Sequence, residues 1–171
     1  MHSVYPARAS GRLFAVVLAT LMLSALLAVQ PVRAETVPKV VYHADFADPR
    51  RFSAMLTSIN NMVTQYQNEL LDYDVRIVFV AHGIRFVTDD ALEGTPFEED
   101  AEMAERRENN ASRLKALHTV QGVKLEVCDI TRTQIGLDAD KLYDGVERVN
   151  SGVVRIAELQ QTQGFAYIKV E

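Results

Sequence analysis

One cysteine occurs in the 171 residues, Cys128, at the end of Lys124-Leu125-Glu126-Val127-Cys128-Asp129, a stretch that reads as a short strand ending in a thiol. A helix or helical turn can begin from Thr131 onward. Unpaired N–H groups and the positive end of a helix dipole at such a junction favour thiolate over thiol. With no second cysteine there is no internal disulfide partner, so Cys128 is either a small buried hydrophobe or a free nucleophile. Two further strand-like runs end in histidine: Val40-Val41-Tyr42-His43 and Val78-Phe79-Val80-Ala81-His82. A histidine near the sulfur would lower the thiol pKa or shuttle its proton. At a strand end it can equally be a satisfied polar cap. His43, His82 and Cys128 also have the donor types for copper or zinc, although they lack local ligand spacing.

The elements that must position these residues follow from periodicity and capping signals. Lys39–His43 is rich in β-branched residues and reads as a strand. Asp48-Pro49 is a helix start, with Asp as N-cap and Pro at the first helical position. Apolar residues then recur at Phe52, Met55, Leu56, Ile59, Met62, Val63, Tyr66 and Leu70, one face of an amphipathic helix. Val75–Ala81 is a nearly continuous apolar run and suits a strand buried on both faces. Gly83 reads as a turn or a close backbone approach.

Thr95-Pro96-Phe97-Glu98 resembles a capping box opening the next helix, which the charged stretch from Ala101 to Asn110 would leave broken or partly exposed, with a second helical piece ending near Gly122. Lys124–Val127 is the third strand, followed by a turn or helix around Gln134–Leu142. Asn150 or Ser151 caps a helix over Val153–Gln161, Gly164 stops it, and Phe165–Val170 closes the chain as a fourth strand. Strands alternating with helices predict an α/β fold: a three-layer, open, mostly parallel sheet with helices on both faces. In such a sheet reacting groups gather outside the carboxyl ends of the strands, where His43, His82 and Cys128 all fall. His118 reads as a structural residue on a helix, and Asn60-Asn61 as a solvated helix face or as a pair that hydrogen-bonds a neighbouring loop or subunit.

The N-terminus has the pattern of an export signal: Arg8 and Arg12, an uncharged and mostly apolar run from Leu13 to Val29, and a cleavage point after Ala34. An uncleaved membrane anchor is the alternative for a run of that length. The expected organisation is a signal peptide over residues 1–34 and one α/β domain over 35–171, periplasmic or secreted, with no membrane association after cleavage. Removal of 1–34 takes three arginines and no acid, leaving 15 basic and 23 acidic residues, a net charge of −8. That balance argues against nucleic acid as a partner. A glycine-rich phosphate loop, G-x-S-x-G, H-E-x-x-H and paired C-x-x-C are all missing, and no cofactor is implied.

Taken together, Val40–His43, the Asn60-Asn61 helix, Val78–Gly83, Gly122–Cys128 with Thr131 and Gly136, Ser151–Gln160 and Gly164–Lys169 resemble the DsrE/DsrF-like family of small α/β sulfur-relay proteins. The resemblance runs from about residue 39 to the C-terminus. It implies a compact domain that assembles into homo-oligomers and, in members that carry the cysteine, a thiol that forms a persulfide. Cys128 matches that cysteine by its place after the third strand. An export signal departs from the better-known members, which work in the reducing cytoplasm with partner subunits.

Three functions compete. In the first, Cys128 takes sulfane sulfur from a donor and passes it to an acceptor, which could be a partner protein. His43 or His82 would tune the thiolate, and turn amides near Asp129 to Thr131 would stabilise it. The second is a non-catalytic oligomeric module that holds a small ligand or metal at the edge formed by His43, His82 and Cys128. The third is a structural or interaction protein in which Cys128 is simply buried.

Overall fold

The computed structural model describes residues 37–171 together with His2. The expected signal segment and its cleavage point lie outside the described residues. Among the described residues no helix is long and apolar enough to cross a membrane.

The chain from Val37 to Glu171 forms one compact unit. Its strands are β1 (Lys39–Ala44), β2 (Asp74–Phe79), β3 (Lys124–Cys128), β4 (Val146–Val149) and β5 (Ala166–Ile168), and its helices are α1 (Pro49–Asn68), α2 (Ala101–Thr119), α3 (Asp129–Gln134) and α4 (Gly152–Gln163). Short 3-10 segments cover Ala81–Phe86 and Ala139–Lys141. The sheet order is β4-β3-β2-β1-β5 and every pairing is parallel. This is the expected α/β architecture with helices on both faces.

Successive strands step in one direction from β1 to β4, and the chain then returns past β1 to place β5. With right-handed crossovers, that reversal sends α4 to the face opposite α1 and α2. The packing agrees. Tyr42, Ile77, Phe79, Leu125 and Val127 form the main core with Phe52, Met55, Leu56 and Ile59 of α1 and Leu114 and Leu117 of α2. On the other face Val41 and Val78 meet Ile156 and Leu159 of α4 and Phe165. Full burial of each large apolar side chain stabilises by about 1.5–3 kcal/mol, which makes the first face the main source of stability.

Asp48 caps α1 through its carboxylate, which accepts from the amides of Arg50 (2.7 Å) and Arg51 (3.1 Å), with Pro49 at the first turn. The expected capping box at Thr95 is not the start of α2. Thr95 and Glu98 instead close a tight turn: the Phe97 amide donates to Thr95 Oγ1 (3.1 Å) and the Gly94 amide to Glu98 (2.8 Å). Asp100 is the real N-cap, accepting from the Met103 amide at 2.8 Å. It won because Arg85, almost fully buried, also binds its carboxylate at 2.7 Å. The charged stretch does not break α2, which runs unbroken; of its polar residues only Asn110 is buried, its side-chain amide donating to the Pro49 carbonyl at 3.1 Å.

β4 was not expected. Its residues, Val-Glu-Arg-Val, are half-buried or exposed because it is an edge strand, so no apolar alternation marks it.

Candidate functional site

β3 and β4 lie side by side, with Cys128 opposite Val149. Their exits diverge. The chain leaving β3 goes through α3 towards Ile135 and Leu137 on the main core, whereas the chain leaving β4 enters α4 on the other face. That divergence is the topological switch point of the sheet, the crevice where open α/β folds place their reacting groups. Cys128 occupies it.

Two features follow from this placement. Cys128 is itself the residue before α3, where the amides of Ile130 and Thr131 favour its thiolate although its side chain closes no capping hydrogen bond. Ser151 caps α4 on Val154, and the next residue, Gly152, lies directly over the thiol. A Cβ on Gly152 would stand 2.5 Å from Val80 Cγ2 and 3.1 Å from Cys128 Cβ, so only glycine lets the first turn of α4 come down this far. The sulfur therefore faces amides from two backbone segments that come from opposite sides of the sheet.

Burial of Cys128, which is 4% exposed, works against ionisation. The amides of Gly152, Thr131 and Ile130 and the Thr131 hydroxyl outweigh it, and the thiol is held below its ordinary value. Thr131 is oriented for the task. Its Oγ1 accepts from the Ala81 amide at 3.3 Å, which leaves the hydroxyl proton free to turn to the sulfur.

The structure sorts the expected site residues into two groups. Cys128 and Thr131 belong together. Asp129 sits beside them with its carboxylate turned to Arg132 (2.6 Å) and Arg148 (3.7 Å), and the Arg132 hydrogen bond holds its pKa below the ordinary range. His43 stands apart. His43 pairs with Val78, which in turn pairs with Glu126, so it stands two strands away from Cys128 and one pleat short of it, on the order of 12 Å between backbones. Its Nδ1 bonds Tyr167 Oη at 3.0 Å, and burial pushes its pKa down. His82 packs edge-on against Phe97, with ring centroids 4.9 Å apart. Gly83 serves the backbone: a Cβ there would strike the Ala44 carbonyl oxygen at 1.9 Å. The metal-binding form of the second function thus lacks a ligand set, and no group of three His, Cys, Asp or Glu side chains among the described residues is placed to hold a metal ion.

Three contributors escaped the sequence reading as site residues. Gly152 was legible in principle, as a glycine immediately after a helix cap. Glu126 and Arg155 were not. Glu126 is 1% exposed beneath α4 and accepts from Arg155 Nε (2.7 Å) and Nη2 (2.9 Å) and from Arg76 Nη1 (2.7 Å). Exposed Ile130, Val153 and Val154 are chain neighbours of the sulfur and of Gly152. An open cleft of about 380 Å³, lined by Leu114, Lys115, His118 and Tyr143 among others, does not include Cys128.

Comparison with known proteins places the chain in a family. The model of the DsrE/DsrF-like family matches residues 40–170, and the chain belongs to that family. A protein of unknown function from Methanobacterium thermoautotrophicum has a similar structure, with a TM-score of 0.57 and 26% sequence identity over 77% of this chain and 98% of its own. No curated protein matches. Family membership supports a sulfur-relay-type role in general.

Proposed function

We propose that this DsrE/DsrF-like protein carries sulfane sulfur as a persulfide on Cys128. The observation that carries the reading is the amide-lined thiol at the switch point, held below its ordinary pKa although buried. A thiolate is the nucleophile that sulfur transfer needs.

The chemistry balances without an external oxidant. The Cys128 thiolate attacks the outer sulfur of a donor persulfide or polysulfide. A bond forms between Cys128 Sγ and that sulfur, the donor's S–S bond breaks, and the donor leaves as a thiolate or shorter polysulfide. An acceptor thiolate then attacks the outer sulfur and releases Cys128 as thiolate again. In both states the negative charge remains within reach of the Gly152, Thr131 and Ile130 amides, which serve a persulfide anion as they serve the thiolate.

The partner in this reading is a sulfur donor or acceptor protein, and the assembly a homo-oligomer. Exposed Ile130, Val153 and Val154 support both by giving the thiol an apolar surround. The N-terminal sequence pattern supports a periplasmic or secreted setting.

The test is the intact mass of the purified protein after incubation with polysulfide. Wild type is expected to gain whole sulfur atoms and Cys128→Ser none. Equal gain by the two proteins, or none by wild type, would overturn the reading.

A further inference from the structure

The charged cluster under α4 has a feature that stability alone does not require. Asp74 and Glu126 face three cations: Arg76 binds both carboxylates (2.7 Å each), Lys124 binds Asp74 (2.9 Å), and Arg155 binds Glu126. Glu158 of α4 also faces Arg155, and Glu147 of β4 lies in register with Glu126, so the cluster carries no excess of positive charge. Glu126 and Cys128 are two residues apart on one strand and project from the same face, about 7 Å between backbones. Arg155 stands one helical turn beyond Gly152, which abuts Cys128. Its two nitrogens grip the Glu126 carboxylate in a fork that fixes both distance and orientation.

We propose that Arg155 is a positioning residue for the thiol site: anchored on buried Glu126, it seats the first turn of α4 on Cys128 and so holds the Gly152 amide beside the sulfur. The inference rests on Cys128 being the reacting group of the function proposed above. It adds how that group is kept ionised. Arg155 acts through Glu126 and α4 and does not itself touch the sulfur. The other charges around the site are Glu158 on α4, Glu147 on β4 in register with Glu126, and Asp129 of the β3–β4 side, whose carboxylate is covered by Arg132 and Arg148.

The experiment is the pH dependence of alkylation by neutral iodoacetamide, run on the full chain, whose single cysteine makes the signal unambiguous. Arg155→Met keeps the bulk but removes the fork that anchors α4, so the Gly152 amide loosens from the sulfur, and the inflection is expected to rise by on the order of one pH unit, slowing alkylation at neutral pH about tenfold. Arg155→Lys keeps the charge without the fork and is expected to fall between the two. Thermal midpoints follow the same samples. An unchanged inflection in folded Arg155→Met, whatever its midpoint, assigns the ion pair to stability alone and overturns the proposal. Should Arg155→Met fail to fold, an unchanged inflection in Arg155→Lys overturns it equally. The readout is independent of sulfur loading. A wild-type thiol that titrates low and responds to Arg155, yet loads no sulfur, defeats the persulfide function and leaves the positioning role standing.

Discussion

Gly152→Ala is the perturbation with the clearest structural consequence. The added methyl would meet Val80 Cγ2 at 2.5 Å, Cys128 Cβ at 3.1 Å and Val78 Cγ1 at 3.4 Å. Carbon atoms rest about 3.5–4 Å apart, so the start of α4 must retreat from the sheet by about 1 Å. Overpacking of this kind costs about 1–3 kcal/mol, a drop of several °C in Tm for a domain of this size. The same retreat pulls the Gly152 amide off the sulfur. A hydrogen bond to an ionised acceptor is worth about 1.5–3 kcal/mol, and one pKa unit corresponds to about 1.4 kcal/mol. The thiol is therefore expected to rise by about one unit. Ultraviolet thiolate absorbance against pH reads the ionisation, and thermal unfolding reads the cost. A variant that unfolds earlier but titrates like wild type would refute the role given to the Gly152 amide. One that changes neither would refute the close approach itself.

Further outcomes follow from the same contacts. The depressed Cys128 pKa means that the unfolded chain binds the extra proton between the folded value and the ordinary 9.0, so stability rises with pH across that window and the contribution is lost as pH falls through the folded value. The urea midpoint of wild type should accordingly gain on that of Cys128→Ser between neutral and alkaline pH; parallel curves would contradict the shift. Glu126→Ala strands Arg155 beneath α4 and should cost about 3–5 kcal/mol, read as a lower urea midpoint, and a cost within error of zero would show that the pair is solvated. Asp100→Ala removes both the α2 cap and the partner of buried Arg85, and is expected to lose at least the 1–2 kcal/mol of a cap alone. For His43, burial lowers the pKa, Asp45 opposes and Lys169 reinforces, so its imidazole resonances should titrate below 6.5; a midpoint at or above that value would contradict its burial against Tyr167.

Much of the fold could be read from the residues because its signals are local. Asp48-Pro49 caps α1 as expected, Gly164 ends α4 with φ +73°, and the alternation of strands and helices leads to a parallel sheet. The start of α2 was misplaced because Thr95 and Glu98 satisfy a capping pattern in a turn, while the choice of Asp100 depends on Arg85, fifteen residues earlier. β4 was hidden because only Val146 and Val149 of this edge strand are half-buried, which leaves no apolar alternation to read. In the site, Cys128 and Thr131 were legible from a strand end followed by a helix start. The placement of His43 and His82 was not, since a shared sheet edge fixes no lateral distance. Arg76 was absorbed into an apolar run, and Glu126 read as a strand residue; their pairing with Arg155 exists only once α4 crosses back over the sheet.

The central claim is that Cys128 holds sulfur and gives it up to another thiol. The direct measurement takes polysulfide-loaded protein, freed of excess reagent, and follows the masses of protein and of a small acceptor thiol after mixing. The account predicts that the protein returns to its parent mass while the acceptor gains the same number of sulfur atoms. If instead the protein keeps its added mass, or the acceptor becomes disulfide-bonded to Cys128 with release of sulfide, the outer sulfur is not being transferred and the account is wrong.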